Sequence, residues 1–257
     1  MKKQKKNLLS LAVIGVLMMT VFAGCGGDSG ATSSAEPEAQ EVLATYEYNA
    51  EATDEQNEAA ENAVSYIKTT YMSKAALLNQ LVEFEGFSAE AAQYAVDHIT
   101  TDWKKVALAS GNNYLANSNF SKQGLFDQLT STCGEQFEAE EAQYAVDNVD
   151  VDWKKEALGA AKSYLDTGSF SEQGLLDQLT SSYADEFTQE EAQYALQNIK
   201  ADWNAEALEA AESYYDTGMT DKTEIFNQIT SQYADKFTME QAQYAIDHLD
   251  PTKLDAQ

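Results

Sequence analysis

Three closely spaced aspartates, Asp147, Asp150 and Asp152, come nearest in this chain to the spacing of a calcium-binding loop. Carboxylate oxygens at regular intervals are the ligands that Ca²⁺ takes in an EF-hand. Such a loop also needs glycine at its sixth position and a bidentate glutamate at its twelfth, and neither is present whichever aspartate begins the count. We therefore interpret the three aspartates as capping and solvated residues and predict no metal site here.

Two Asp-Thr-Gly triplets, Asp166-Thr167-Gly168 and Asp216-Thr217-Gly218, have the sequence that carries the catalytic pair of an aspartic protease. Protease aspartates lie in apolar surroundings and share one proton at close range. These triplets are polar and lie fifty residues apart, where a helix is predicted to end in consecutive repeats. We interpret them as helix C-termini, and predict that the chain is not an enzyme and binds no cofactor.

Histidine and cysteine offer no better site. His98 and His248 stand far apart in the sequence, with no other histidine or cysteine close to either, so we predict no transition-metal site. Cys133 occupies the position that Tyr183 and Tyr233 hold in two sister repeats. Its thiol is expected to be either packed and free or bonded to another molecule, and we favour the packed thiol.

The first 24 residues have the composition of an export signal. Four lysines precede an apolar stretch from Leu8 to Phe22, which is shorter than the ~20 residues that a membrane-spanning helix needs. Phe22-Ala23-Gly24-Cys25 follows and resembles a bacterial lipobox, although leucine usually stands where Phe22 is found. The resemblance implies that residues 1–24 are removed and that Cys25 carries a covalent lipid, which would anchor the chain in the membrane.

Residues 25–55 are rich in glycine, serine, alanine and glutamate and contain no lysine. A segment of this composition cannot bury enough apolar surface to offset the entropy lost on ordering. We therefore predict a flexible acidic tether behind the lipid. A short helix from Val42 to Tyr48 is an alternative for part of it.

Beyond the tether, the sequence consists of repeats, so the elements that would position any site are present in several copies. Two sets of aromatic residues recur at intervals of fifty: Trp103, Trp153 and Trp203, and Tyr94, Tyr144, Tyr194 and Tyr244. Each of these tyrosines lies in an Ala-Gln-Tyr-Ala tetrad, and the fifty residues from Trp103 match the fifty from Trp153 at 26 positions. A repeat of this length indicates one small unit used several times, and hence a multiplied surface more than a single pocket.

Each unit is predicted to contain three short helices, which residues 153–200 show most clearly. Apolar residues at helical spacing from Trp153 to Leu165 indicate the first helix, and Asp152 is placed to cap it. Gly168 is predicted to be the left-handed residue that follows its end.

The second helix is predicted to begin after Ser171, an N-cap residue, and to present an apolar face from Leu175 to Tyr183. Thr188 and Glu191 then match a capping box, which indicates the start of the third helix. Capping and periodicity agree for all three helices, so the fold is expected to be all-α, with a unit that resembles a helix-turn-helix.

Four copies of the unit can be traced. The first is diverged, because it lacks the tryptophan and is two residues shorter between its second and third helices. One copy alone is too small for a stable core, so we expect an elongated array in which neighbours share buried surface. The predicted boundaries are 56–100 for repeat 1, 103–150 for repeat 2, 153–200 for repeat 3 and 203–249 for repeat 4.

The recurring tryptophans and tyrosines have two interpretations. An aromatic stripe at helical spacing is usually core, and a tryptophan at the head of each first helix would fit as a wedge between successive repeats. We favour this packing role for all seven residues. The alternative is an exposed ladder for recognition, which a carbohydrate-binding protein would need.

The charge of the chain argues against nucleic acid as a partner. The chain has no arginine, and loss of four signal-peptide lysines from 16 would leave 12 against 43 acidic residues, a net charge near −31. Nucleic-acid binding depends on cations that neutralise phosphates, and base recognition relies heavily on arginine. We expect no binding to DNA or RNA, and a preference for cationic partners.

Three segments of repeat 3 carry a recognisable pattern: Trp153 to Tyr164, Phe170 to Leu179, and Phe187 to Ala195. With the lipobox and the acidic tether, they resemble the Ltp family of host cell surface-exposed lipoproteins. The resemblance extends over nearly all of residues 56–249. It implies tandem three-helix repeats, anchored by lipid on the extracellular face of a Gram-positive cell membrane.

Some members of that family are prophage-encoded and block injection of a second phage's DNA by contacting an injected phage protein at the membrane. The resemblance therefore implies a non-enzymatic protein that binds a protein partner, for example a phage protein with a cationic patch, in superinfection exclusion. The alternative is a surface adhesion or envelope-maintenance module that binds peptide, protein or glycan, with the repeats supplying avidity. Exposed tryptophans would favour that alternative.

Overall fold

The structure is a computed structural model that describes residues 43–250. This part of the chain contains twelve α-helices, which follow one another in four groups of three, and one pair of two-residue strands. The all-α fold in tandem repeats is therefore confirmed. The predicted signal peptide, Cys25 and the tether as far as residue 42 lie outside the described residues.

The helices are numbered in chain order. Repeat 1 contains α1 (Asp54–Thr70), α2 (Lys74–Asn79), which continues as a π-helical turn (Gln80–Phe84), and α3 (Ala89–His98). Repeat 2 contains α4 (Trp103–Asn117), α5 (Lys122–Thr130) and α6 (Ala139–Asn148). Repeat 3 contains α7 (Trp153–Thr167), α8 (Glu172–Thr180) and α9 (Gln189–Asn198). Repeat 4 contains α10 (Trp203–Asp216), α11 (Lys222–Thr230) and α12 (Met239–His248).

The helices of repeat 3 begin at the predicted capping residues. The side chains of Asp152 and Ser171 each accept a hydrogen bond from a backbone N–H in the first turn of the helix that follows. Thr188 and Glu191 form the complete capping box at the start of α9. These bonds satisfy backbone donors that have no partner within the helix, which fixes where each helix starts.

The first and third helices of each repeat make its most extensive contact, and the second helix closes the core. The buried residues of α7 and α9 are all alanines, whose small side chains let the two helices approach closely. The buried core of repeat 3 consists of Ala157, Ala160, Ala161, Leu175, Leu179, Phe187, Ala192 and Ala195. The equivalent residues of repeats 1 and 2 form one continuous core, whereas repeat 4 has a core of its own.

Residues 43–53 correct the predicted extent of the tether. Ala44–Thr45 (β1) pairs antiparallel with Thr100–Thr101 (β2), the segment that joins repeats 1 and 2, and Ala44 is only 1 % exposed. The alternative of a helix from Val42 to Tyr48 is wrong at these residues, because their backbone is extended and its hydrogen bonds go to another segment. The chain therefore joins the fold of repeat 1 before α1 begins.

Two predicted details of the helix ends are also wrong. Gly168 has a φ of −171°, which is extended and not left-handed. Helix α8 ends at Thr180, so Tyr183 lies in the turn that follows and not on its apolar face. Phe187 fills the core instead: its backbone N–H donates to the carbonyl of Leu179 at 2.8 Å, and its ring is buried.

Candidate binding surface

A connecting loop joins the second and third helices of each repeat, and three side chains hold it in place. In repeat 3 the loop is 181–188, where the Tyr164 hydroxyl donates to Asp185 at 3.0 Å and accepts from Gln178 Nε2 at 3.0 Å. The other three repeats contain the same arrangement: Tyr66, Gln80 and Glu85; Tyr114, Gln128 and Glu135; Tyr214, Gln228 and Asp235. Each connecting loop is therefore tied to both of the helices that precede it.

The carboxyl groups of this arrangement titrate differently in the folded and unfolded chain. Burial raises the pKa of Glu135, Asp185 and Asp235, against the opposing effect of the tyrosine hydrogen bond. A carboxyl with a raised folded-state pKa stabilises the fold at low pH, and this contribution is lost as the pH rises through that pKa. Carboxyls bonded to lysine, such as Glu140 and Glu190, have lowered pKa values and lose their contribution only as the pH falls below the usual carboxyl range.

We expect the free energy of unfolding to be higher near pH 5 than near pH 7.5, and to decrease again below about pH 4. Asp185→Asn should remove part of the gain at pH 5, because the amide does not titrate. Urea unfolding at the three pH values measures both effects. Glu172→Gln, at an exposed residue of α8, should keep the wild-type profile, and a wild-type maximum at neutral pH would contradict the assigned cost of burial.

The connecting loop regions of repeats 1, 3 and 4 each carry one large exposed side chain. Tyr183 is 99 % exposed, Tyr233 is 101 % exposed, and Phe84, at the end of the π-helical turn of repeat 1, is 77 % exposed. In repeat 2, Cys133 holds the position of Tyr183 and Tyr233 and is exposed too. The predicted packed thiol is therefore wrong. We call Phe84, Tyr183 and Tyr233 the loop aromatics.

The three tryptophans are half-buried and lie at the boundaries between repeats. Trp103 and Trp153 pack against the continuous core of repeats 1 and 2, and Trp203 packs against the core of repeat 3. Trp153 and Trp203 thus contact the core of the repeat before their own. The exposed aromatic residues of the connecting loops are a different set, and their sequence spacing alone did not predict a surface.

The tyrosines of the four tetrads lie on the third helices: Tyr94, Tyr144, Tyr194 and Tyr244. The Tyr94 hydroxyl accepts a hydrogen bond from Asn49 at 2.8 Å, which helps to hold the N-terminal segment on repeat 1. Lys154 Nζ lies 5.9 Å from the centre of the Tyr194 ring, a cation–π geometry, while Tyr244 is 37 % exposed. These contacts lie within one repeat or between repeat 1 and its N-terminal segment, and they do not bring the tetrad tyrosines into one site.

Successive repeats meet where the N-terminus of a second helix contacts the connecting loop of the next repeat. At the junction of repeats 3 and 4, Ser171 Oγ donates to the backbone carbonyl of Asp235. A Cβ on Gly174 would lie 3.3 Å from the same carbonyl oxygen, so glycine permits this close approach. Glu206 of α10 also accepts a hydrogen bond from the backbone N–H of Phe170, at 3.3 Å.

The junction of repeats 2 and 3 has the same geometry. Glu156 accepts from the backbone N–H of Phe120 at 3.4 Å, and a Cβ on Gly124 would lie 3.6 Å from the carbonyl oxygen of Asp185. These contacts could not be predicted from the sequence, since each joins a side chain to a backbone group about 36 to 64 positions away. A cleft of about 500 Å³ opens at the junction of repeats 3 and 4, next to Ser171.

Across residues 43–250, no three histidine, cysteine or acidic side chains are grouped so that they could hold a metal ion. The helices of the same part of the chain are all too short or too polar to cross a membrane. The features that recur there are the connecting loops, their exposed side chains and the junctions beneath them.

Comparison with known proteins follows the repeat structure. The family described as host cell surface-exposed lipoprotein (Ltp) matches residues 54–99, 102–149, 152–199 and 202–249. One solved structure, that of Ltp, a superinfection exclusion protein from the Streptococcus thermophilus temperate phage TP-J34, is 39 % identical, with a TM-score of 0.35, over 38 % of this chain and 95 % of that chain. Among curated proteins, none matches this chain. Because the four family matches coincide with the four repeats and cover most of the sequence, the chain belongs to the Ltp family of host cell surface-exposed lipoproteins.

Proposed function

We propose that this protein is a lipid-anchored surface lipoprotein that binds a cationic protein partner and thereby blocks the injection of phage DNA. Its family membership supports a location at the host cell surface. The lipobox-like sequence that ends at Cys25 supports a lipid anchor on the extracellular face of the cell membrane. In this proposal the repeats bind a partner and perform no catalysis.

The observation that carries the proposal is the exposure of Tyr183 and Tyr233. Both rings are almost fully in water, and they occupy the same position in two successive repeats whose cores are built from buried alanine, leucine, isoleucine and phenylalanine side chains. Burial of a tyrosine at an interface removes a large apolar area from water, and its hydroxyl can still form a hydrogen bond. Rings presented in this way are suited to anchor a protein partner.

The charge of the partner follows from the charge of this chain, which has 43 acidic residues against 16 basic ones. A field of this sign speeds the encounter with cationic proteins and disfavours acidic polymers. Lysine and arginine side chains also bind to the faces of tyrosine rings. The Lys154–Tyr194 contact is an example within the chain itself.

Repetition would strengthen such binding. A partner that contacts two connecting loops at once binds far more tightly than one that contacts a single loop, because the second contact is intramolecular. A basic phage protein held in this way at the membrane surface could not complete its part in DNA injection. That process is the one that the family resemblance indicates.

The test is to express the full chain in a phage-sensitive host and to challenge the cells with a broad phage panel. For at least one phage we expect normal adsorption with much less DNA reaching the cytoplasm, measured by quantitative PCR of protected phage DNA. Unchanged injection for every phage in the panel would contradict the proposal and favour an adhesion or envelope role.

The double variant Tyr183→Ala/Tyr233→Ala is expected to restore DNA injection by about tenfold or more, since two interface anchors of about 1–2 kcal/mol each would be lost. Neither ring contributes to the core, so the thermal unfolding of the variant should match that of the wild type. Tyr48→Ala removes another exposed tyrosine, outside the connecting loops, and serves as the control. If the control restores injection as well as the double variant does, the loop aromatics are not the contact surface.

A further inference from the structure

We propose that the junction of repeats 2 and 3 contains a receptor for one lysine or arginine side chain of the partner, formed by Asp127, Glu186 and Tyr183. The inference rests on the proposed function, because it assigns one specific contact of the cationic partner. It is drawn from a difference between two junctions that are otherwise built alike.

The junction of repeats 3 and 4 shows how an ammonium group is held at this place. Lys236, in the connecting loop of repeat 4, forms an ion pair with Asp177 on α8 of repeat 3. Gln173 Nε2 donates a second hydrogen bond to the same carboxylate at 2.8 Å. Although partial burial opposes it, the Lys236 ammonium lowers the pKa of Asp177, as expected for a carboxylate with a bound cation.

The junction of repeats 2 and 3 repeats this arrangement with one exchange. Asp127 on α5 stands fifty residues before Asp177, and Gln123 Nε2 donates to it at the same distance of 2.8 Å. Glu186 stands where repeat 4 has Lys236, and the two residues share a left-handed backbone, with φ of 57° and 61°. An acidic residue therefore occupies the position of the lysine.

Because Glu186 and Asp127 hold the positions of the Lys236–Asp177 ion pair, the exchange brings two carboxyl groups together. Partial burial and the neighbouring Asp127 raise the pKa of Glu186. Two carboxylates at such a distance repel each other unless a proton or a cation lies beside them. At the junction of repeats 3 and 4 the chain provides that cation from Lys236, whereas at the junction of repeats 2 and 3 the same position carries a second acid.

Tyr183 favours a basic side chain as the source of a cation at this place. The exposed ring lies three residues before Glu186 in the same connecting loop. A lysine or arginine can lay its aliphatic stem along such a ring and place its charged end between the two carboxylates. A metal ion has no aliphatic stem to pack along the ring, so the arrangement suits a basic side chain of a protein.

The first test places at position 186 the lysine that the neighbouring junction has at the equivalent position. Glu186→Lys introduces the ion pair of the neighbouring junction, and Glu172→Lys makes the same change of charge at an exposed residue of α8. Binding of a fluorescein-labelled pentalysine peptide to the purified full chain is measured by fluorescence anisotropy. We expect Glu186→Lys to bind about fivefold more weakly than Glu172→Lys, the effect of losing one ion pair and one cation–π contact.

The reciprocal test opens a second site. Lys236→Glu replaces the partner of Asp177 by a second carboxyl group, in the connecting loop that carries Tyr233. Lys162→Glu makes the same charge change at an exposed residue of α7. Lys236→Glu is expected to bind the peptide about fivefold more tightly than its control. Equal affinities within either pair would show that the peptide responds to net charge alone and would overturn the proposal, and the second pair decides the matter if Glu186→Lys fails to fold.

The outcome can be separated from that of the proposed function. A wild-type protein that fails to block DNA injection, while both peptide comparisons hold, would refute the proposed function and leave the receptor in place. A protein that blocks injection, while either comparison fails, would keep the function and remove this site.

Discussion

Replacement of Leu175 by alanine is expected to lower the free energy of unfolding by about 3 kcal/mol. The side chain is fully buried in the core of repeat 3, where most of its companions are alanines. Alanine side chains cannot extend to fill the space that the leucine leaves, so a cavity should remain. Urea unfolding of the full chain, followed by far-ultraviolet circular dichroism, measures the loss.

Leu176→Ala is the matched control, because this neighbour on α8 is only half-buried. It removes the same atoms from a site that water already reaches, and its cost should be clearly smaller. Equal losses for the two variants would mean that the second helix does not close the core in the way described. A selective loss of one unfolding transition would show that repeat 3 opens as a unit.

Cys25→Ser is expected to have the largest effect on function. Serine cannot be acylated, and each buried methylene of an acyl chain contributes about 0.8 kcal/mol to membrane binding, so the variant should leave the membrane fraction. Phage DNA injection should then return to the level of cells without the protein. Cell fractionation and incorporation of labelled palmitate provide the measurements.

Cys133→Ser is the control for the same chemical change at the other cysteine. Its exposed thiol contributes nothing to the core, so the variant should keep both the lipid label and the block of injection. Retention of the label by Cys25→Ser would show that the anchor lies elsewhere. Loss of function in Cys133→Ser alone would assign the essential role to the loop thiol.

The helical repeat could be predicted because its signals are local. A capping side chain acts within three residues of itself, so Asp152, Ser171 and the Thr188–Glu191 pair could be identified without knowledge of the tertiary structure. The apolar spacing of each helix is equally local. Both signals also repeat four times, which separates them from chance.

The helix ends were harder to predict, because tertiary contacts decide them. Helical spacing extended the second apolar face to Tyr183, whereas Phe187 fills the core and leaves the tyrosine outside. The left-handed residue before that phenylalanine is Glu186 in repeat 3 and Lys236 in repeat 4, two residue types that give no signal for this conformation. In repeat 1 the equivalent residue is Gly86, which has a left-handed φ of 77° one residue before Phe87. A glycine at this place is the one sequence signal for the conformation.

The candidate surface differs from both of the interpretations that the sequence suggested. Core packing and an exposed ladder are the two interpretations of the tryptophans and the tetrad tyrosines, but the almost fully exposed tyrosines are Tyr183 and Tyr233. Their periodicity of fifty residues was visible in the sequence, yet period alone cannot distinguish buried from exposed residues. The ion pair of Asp177 with Lys236 could not be predicted from the sequence, because it joins residues far apart in different repeats.

The most direct test of the account is to identify what touches Tyr183 during infection. The photoreactive residue p-benzoylphenylalanine is placed at position 183 of the full chain, or at the exposed Lys162 of α7 as a control, and cells are irradiated while phage inject their DNA. The account predicts an adduct with a phage protein rich in lysine or arginine from position 183 and none from position 162. Adducts with host envelope components alone, or no adduct from position 183, would contradict it.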